Sequence, residues 1–287
     1  MINFKNYFLA ENIEDAYEEL LKNRKNRIIG GGSYLRLSNL ELHTIIDLEK
    51  IGLNQITEDD DYIKIGAMVT FRELETNPII KNYFDGVISD AVSGILGVQF
   101  RNNVTVGATV FSKYGFSDLN TALLAVNAEV ILYKNGKETL ENFLKSKKIL
   151  KDILVEIKLP KKNGKSVFKC VRKSSTDYSI INLAVSQCEN KKNYRVCIGA
   201  TPKRATVAYK FSDYLNTLSE ELKIIDNDKK KEFLEKRLNE NVLSLIDQDI
   251  TFESNTRATD LYRRILAKNL IKKSVMEVIC SGNKSNS

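Results

Sequence analysis

The segment Arg27-Ile28-Ile29 runs directly into Gly30-Gly31-Gly32-Ser33, and no other feature of the chain narrows its fold as much. Three glycines after a buried strand let the backbone turn sharply and bring several N–H donors to an anion without Cβ obstruction. That geometry suits a pyrophosphate, and it is equally compatible with a plain glycine-rich turn. No Gly-Lys-Ser/Thr follows, which excludes a nucleoside-triphosphate P-loop. The spacing is not Gly-x-Gly-x-x-Gly either, which argues against a classical NAD-binding fold.

A second polar stretch, Arg101-Asn102-Asn103-Val104-Thr105-Val106-Gly107-Ala108, combines small residues, amides and a hydroxyl on the approach to Asp118. Thr105 and the N–H groups after it suit phosphate oxygens, and the Asp118 carboxylate suits ribose hydroxyls. The alternatives are a solvent loop and an aspartate that caps the helix beginning at Leu119.

Around these loops the elements alternate. Asn12 and the helical spacing of Ile13, Ala16, Leu20 and Leu21 predict a capped helix. Strands are predicted at 27–29, 44–48 and 62–67, a helix after the capping box Thr70-x-x-Glu73, and one long helix from Pro78 to Val92. A short helix at 119–126, a strand at 128–133, an Asn135-Gly136 turn and a strand at 153–159 follow. Lys161 to Lys165 marks a boundary. Beyond it, strands at 166–171, 179–188 and 194–200 precede helices at 211–224, 229–246 and 256–279, the order of an α+β domain. The terminal helix is predicted to present a basic face, Arg264, Lys268 and Lys272, and an apolar face, Leu261, Ile265, Leu266 and Leu270. Residues 281–287 read as a disordered tail.

At 287 residues and 43% hydrophobic, the chain has enough apolar content for two domains. It has no apolar run of the roughly 20 residues a spanning helix needs and no secretion-signal pattern near Met1, so the expectation is a cytoplasmic protein without a membrane association. Cys170, Cys188, Cys197 and Cys280 lack metal-binding spacing and read as reduced, mostly buried thiols. One histidine, His43, stands before an apolar strand and reads as structural; neither Gly-x-Ser-x-Gly nor His-Glu-x-x-His occurs. No catalytic or metal-ligating residues are therefore assigned. The formal charge of +7 is concentrated toward the carboxy terminus. Without a nucleic-acid motif it reads as a solvated helix face or a docking face for another subunit.

Six short motifs carry a family resemblance over nearly the whole chain. Gly30-Gly31-Gly32-Ser33-Tyr34-Leu35 resembles the first FAD loop, Ala-Gly-Gly-x-x-Leu, of the flavin subunits of the xanthine dehydrogenase and carbon monoxide dehydrogenase family. Arg101 to Ala108 resembles its second loop, Arg-Asn-x-x-Thr-Ile-Gly-Gly. Ile65-Gly66-Ala67-Met68-Val69-Thr70 resembles its Ile-Gly-Ala-x-x-Thr strand end, and Ser117-Asp118-Leu119 with Ala122-Leu123-Leu124-Ala125 its Ser-Asp-x-x-x-Ala-Leu-Leu-Ala run. Phe168-Lys169, Arg172 and Asp177 to Ala184 resemble a signature in the second half, and Tyr262-Arg263 a Tyr-Arg pair in the last helix.

The resemblance implies an α+β fold: a vanillyl-alcohol-oxidase (PCMH)-type FAD-binding domain over 1–163, in subdomains of roughly 1–54 and 55–163, and a carboxy-terminal α+β domain over 164–280 with an antiparallel sheet. It implies non-covalent FAD on Ile29, Gly30, Gly31, Gly32, Ser33, Tyr34 and Leu35, and on Thr105, Val106, Gly107, Ala108 and Thr109, with Leu154 among the cofactor residues. Asp118 would face the adenosine ribose, and Lys169 would stabilise negative charge on the reduced flavin, a surface lysine being the alternative reading. It further implies a molybdopterin-binding large subunit and a [2Fe-2S] small subunit as partners, with electrons leaving FAD for NAD+ or another acceptor. Two departures stand out: Ala108 replaces a glycine, and Tyr34 a smaller or acidic residue. A positive φ at Ala108 would cost about 1 kcal/mol and weaken FAD binding. No histidine lies in either loop, so a histidyl-linked flavin is excluded there. Two rival readings are a stand-alone flavin reductase of the same superfold, which the 177–184 signature argues against, and a scaffold subunit without FAD, hinted at by Ala108.

Overall fold

The computed structural model describes residues 2–148, 150–188 and 193–280; the expected tail at 281–287 lies outside the described residues. Two compact units account for the chain, and neither is continuous in sequence. The first comprises 1–76, 95–113 and 127–161; the second comprises 77–94, 114–126 and 162–287.

The first unit holds two sheets. Strands β1 (Asn3–Leu9), β2 (Arg27–Ile29) and β3 (Glu41–Asp47) form a parallel sheet in the order β1-β3-β2. The capped helix is present at Ile13–Lys22, with Asn12 accepting from the Asp15 N–H. Its buried Ala16 and Leu20 pack with Ile46, Leu48 and Ile153. The other sheet consists of β4 (Ile56–Glu58), β5 (Tyr62–Gly66), β6 (Glu129–Leu132), β7 (Gly136–Thr139) and β8 (Leu154–Pro160), antiparallel in the order β4-β5-β8-β6-β7. Gly136 takes φ +68° in the expected hairpin turn.

The second unit contains β9 (Gly164–Arg172), β10 (Ser179–Cys188), β11 (Asn193–Gly199) and β12 (Thr206–Val207) in an antiparallel sheet, order β12-β11-β10-β9. Inward residues of β10 and β11, including Leu183, Val185 and Val196, join Phe211, Leu215, Ala267, Ile271 and Val275 from the helices in one core. This is the expected α+β arrangement with an antiparallel-sheet domain.

Three predicted helices differ from what forms. The long helix from Pro78 is interrupted: Pro78–Asn82 and Val87–Ser93 flank a turn in which Phe84, Asp85 and Gly86 take φ of 48°, 52° and 81°. Both Tyr83 and Phe84 are buried there, their rings edge to face at 4.9 Å. Burying two adjacent aromatic rings offsets the roughly 1–2 kcal/mol that each of the left-handed Phe84 and Asp85 costs. The helix at 229–246 is likewise divided into Asn227–Arg237 and Glu240–Leu243, because Asn239 caps a new start by accepting from the Val242 N–H. In the last helix, Asp260–Cys280, Leu261 and Ile265 are exposed, whereas Arg263 is buried. The buried face is apolar but rotated from the expected stripe: Ala267, Ile271, Val275 and Val278 are buried, Leu266 and Leu270 pack against the same core, and Arg263 joins them by donating to the carbonyls of Ile180 and Ala200.

Candidate functional site

The glycine loop sits at the carboxy end of β2 in the first unit. Gly31 and Gly32 adopt φ of 67° and 66°, a region L side chains rarely enter. A Cβ built on Gly31 would lie 1.5 Å from the Asn103 carbonyl oxygen, and one on Gly30 would lie 2.4 Å from Thr105 Oγ1. The two sequence loops are therefore in direct backbone contact, and their glycines are there to allow it. Among the described residues, the backbone N–H groups of Gly31, Gly32 and Ser33 have no protein acceptor. Successive N–H groups in a left-handed turn form a concave anion cradle.

The second loop is built differently from its sequence-level reading. Thr105 caps a helix, Val106–Ser112, which the sequence pattern did not reveal. The Val106 N–H donates to Val69 O at 2.9 Å, the Gly107 N–H to Ala67 O at 2.7 Å and the Thr109 N–H to Thr105 O at 3.2 Å. The Ala108 N–H faces Thr105 Oγ1 at 3.4 Å. The Val106 and Gly107 donors seat the loop on the Ile65 to Thr70 strand end, where a Cβ on Gly107 would lie 2.7 Å from that of Ala67, while those of Ala108 and Thr109 close back on Thr105. Arg101, buried, fixes the loop's start: it chelates Glu75 at 2.9 and 3.1 Å and donates to the carbonyls of Ile95 and Leu96. The sequence motif had already contained this arginine, but only the fold shows it as an anchor.

Ala108 lies inside that helix at an ordinary negative φ, so the anticipated backbone strain does not arise. Ala108→Gly is expected to cost about 0.5–1 kcal/mol through helix propensity without tightening FAD binding. Thermal melting and an FAD titration of the variant check this; a tighter flavin complex would show that the methyl group does obstruct the ligand. Tyr34 packs its ring edge to face on Phe100 at 6.4 Å. Ser33 is buried, Ile29 ends β2, and Leu35 starts a short 3-10 turn. Leu154 is buried in β8, opposite Leu132.

Asp118 and Lys169 belong to the second unit. Asp118 starts the helix Asp118–Ala125 and is buried, with Arg172 on Oδ2 and Ser179 Oγ and Asn182 Nδ2 on Oδ1 at 2.7 and 2.5 Å. A carboxylate offers about four lone-pair sites, so three donors leave one on Oδ2. Burial pushes this carboxyl above its ordinary range, while the Arg172 guanidinium and the two hydrogen bonds act in the opposite direction. The residue that caps the helix is Ser117, which accepts from the Asn120 N–H at 3.2 Å, and not Asp118. Lys169 is half-exposed and paired with Glu277 at 2.9 Å.

The sequence from 2 to 162 matches the family model described as the FAD binding domain in molybdopterin dehydrogenase. The chain belongs to that family. It is an FAD-binding oxidoreductase subunit of the molybdenum-hydroxylase type. Among relatives, it is 25% identical to the glyceraldehyde dehydrogenase medium chain of Sulfolobus acidocaldarius, over 95% of this chain and 97% of that one. It is 24% identical to a putative xanthine dehydrogenase FAD-binding subunit of Escherichia coli, over 98% of each. In fold it resembles reconstituted CO dehydrogenase from Oligotropha carboxidovorans, with a TM-score of 0.82 at 18% identity, covering 98% of this chain and 100% of that one. Quinoline 2-oxidoreductase from Pseudomonas putida 86 superposes with a TM-score of 0.79 at 17% identity, covering 96% of each chain. Among the described residues no cluster of three or more histidine, cysteine or acidic side chains suits a metal ion, and no helix is long and apolar enough to cross a membrane.

Proposed function

We propose that this flavin subunit holds FAD non-covalently by its pyrophosphate on the N–H groups of Gly31, Gly32 and Ser33. The observation that carries the reading is the cradle itself: left-handed glycines, open donors, and a second loop packed so closely that any side chain would fill the space. Ile29, Gly30, Tyr34 and Leu35 shape the cradle. Thr105, Val106, Gly107, Ala108 and Thr109 form its supporting wall, the N–H groups of Val106, Gly107, Ala108 and Thr109 being spent on the protein. Leu154 is proposed to contribute apolar surface, and Asp118 to offer its remaining Oδ2 lone pair to the adenosine ribose. Lys169 is proposed to add positive charge beside the flavin, with Glu277 as its resting partner.

When bound, FAD supplies reversible two-electron redox chemistry. The chain's own part is to bind, orient and insulate that group. Electrons would arrive from a [2Fe-2S] small subunit, downstream of a molybdopterin-binding large subunit that oxidises the organic substrate, and leave for NAD+ or another acceptor. The medium-chain and medium-subunit names of relatives, such as the nicotine 6-hydroxylase medium subunit of Paenarthrobacter nicotinovorans, support this division of labour. A cytoplasmic location accords with it.

The test is an absorbance spectrum of the purified full-length chain, followed by acid release and chromatography of the chromophore. Flavin bands that release as FAD without proteolysis are expected. A colourless protein that takes up no added FAD would overturn the reading in favour of a scaffold subunit.

A further inference from the structure

Lys151 stands apart from the other lysines of the first unit. Its ammonium lies 3.2 Å from the Asn26 carbonyl oxygen, 3.3 Å from that of Arg24 and 3.4 Å from those of Leu20 and Asn23. These four carbonyls close the end of the helix Ile13–Lys22 and the turn leading into β2. A helix carboxy terminus leaves its last carbonyls without partners and carries partial negative charge, so a cation is favoured there. Partial burial, with Arg27 nearby, holds the Lys151 ammonium below the ordinary lysine range. The guanidinium of Arg27 shares two of the carbonyls, those of Arg24 and Asn26, at 2.7 and 2.8 Å.

The backbone that presents Lys151 is itself held. Its neighbour Asp152 is buried and accepts from the N–H groups of Lys134, Asn135 and Ile153 at 3.0, 3.0 and 2.8 Å, which ties it to the β6–β7 hairpin. The five-stranded sheet thus reaches through Lys151 to the turn that sets where β2 begins. β2 is three residues long and ends at Ile29, so a displacement at Asn26 is passed to Gly30 with little length in which to relax. The glycine loop has no slack to absorb it, given how closely Gly31 and Gly30 meet Asn103 and Thr105.

We infer that Lys151 is a positioning residue for the FAD-binding loop, its ammonium gathering the carbonyls of Leu20, Asn23, Arg24 and Asn26 so that β2 delivers Gly30 to Gly32 in the seated geometry. This rests on the flavin reading of that loop. Lys151→Met keeps the aliphatic stem and removes the ammonium. The Arg24 and Asn26 carbonyls then retain Arg27, which sits on β2 itself and moves with it, and the Asn23 carbonyl retains the Asn26 N–H.

The experiment compares FAD binding to the full-length chain, freed of flavin, for wild type, K151M, K151Q and K151R. Fluorescence titration gives Kd well below the melting temperature of every variant, and visible circular dichroism of the bound flavin reports its setting. K151M is expected to raise Kd by about tenfold or more and to alter the dichroism bands. K151R, which retains charge and donors, should restore Kd to within about threefold of wild type. K151Q, with donors and no charge, should fall between them, and if K151M does not fold, the graded series of glutamine and arginine variants carries the test. Wild-type Kd and dichroism in K151M or K151Q, with only a lowered melting temperature, would overturn the inference and make Lys151 a helix cap alone. A wild-type chain that binds no FAD would overturn the flavin reading and the inference with it, and that outcome shows in the wild-type titration alone.

Discussion

Gly31→Ala is expected to weaken FAD binding by about 100-fold, roughly 2.8 kcal/mol at 1.4 kcal/mol per tenfold. Two costs combine. An alanine at φ +67° pays about 1 kcal/mol for the left-handed backbone. Its Cβ would also stand 1.5 Å from the Asn103 carbonyl oxygen, a backbone atom that cannot rotate away, so the two loops must separate. Gly52→Ala is the matched control. Gly52 has φ +82° with nothing within 4 Å of its built Cβ, so it incurs the first cost without the second. FAD titrations of both variants, with melting curves to show that each is folded, separate strain from loss of the cradle. Equal Kd values for wild type and Gly31→Ala would show that the glycine loop is not where the cofactor is held.

Asp118→Ala is expected to destabilise the second unit by about 3–5 kcal/mol, the usual cost of removing one partner of a buried ion pair. The substitution leaves the largely buried Arg172 guanidinium and the Asn182 amide without their carboxylate acceptor. The Thr121 hydroxyl, which donates to Asn182 Oδ1 at 2.8 Å, extends the damage to a network within the same unit. Asp118→Asn keeps one acceptor oxygen and should lose less. Chemical denaturation followed by far-ultraviolet circular dichroism measures both. A change under 1 kcal/mol in the alanine variant would reject the structural role. A raised FAD Kd in a variant that keeps its stability would instead support the ribose contact.

The two residues show how unevenly a motif reports its purpose. Asp118 and Arg172 belong to separate motifs of the sequence, and nothing in either motif pairs them. The fold joins them because β9 and the helix Asp118–Ala125 belong to one unit even though Lys162 and Val126 are far apart along the chain. Asp118 reads from sequence as a ligand for a cofactor; in the structure most of its hydrogen-bonding capacity is spent on its neighbours. The second loop is a parallel case. Its Thr, Gly and Ala suit a phosphate site when read locally, but the Ile65 to Thr70 strand end claims the Val106 and Gly107 N–H groups, and Thr105 those of Ala108 and Thr109.

What local chemistry could decide was legible without a structure. The helix capped by Asn12, the capping box in which Thr70 and Glu73 bond reciprocally, the strand at 27–29 and the strand at 179–188 all follow from short-range pattern, because their signals lie within a few residues. The glycine loop was legible for the same reason: three glycines are needed only where backbone must turn left-handed or approach closely. Where the tertiary structure decided, the partner was remote in sequence. β1 is an exposed parallel edge strand with no alternation to read, and it exists because β3 pairs with it. The turn at Phe84 breaks a helical pattern because burial of two rings offsets the backbone cost. The helical backbone of Ala108, the anchoring by Arg101 and the carbonyl clamp of Lys151 depend on contacts that no spacing encodes, since each is made with or held by an element elsewhere in the chain.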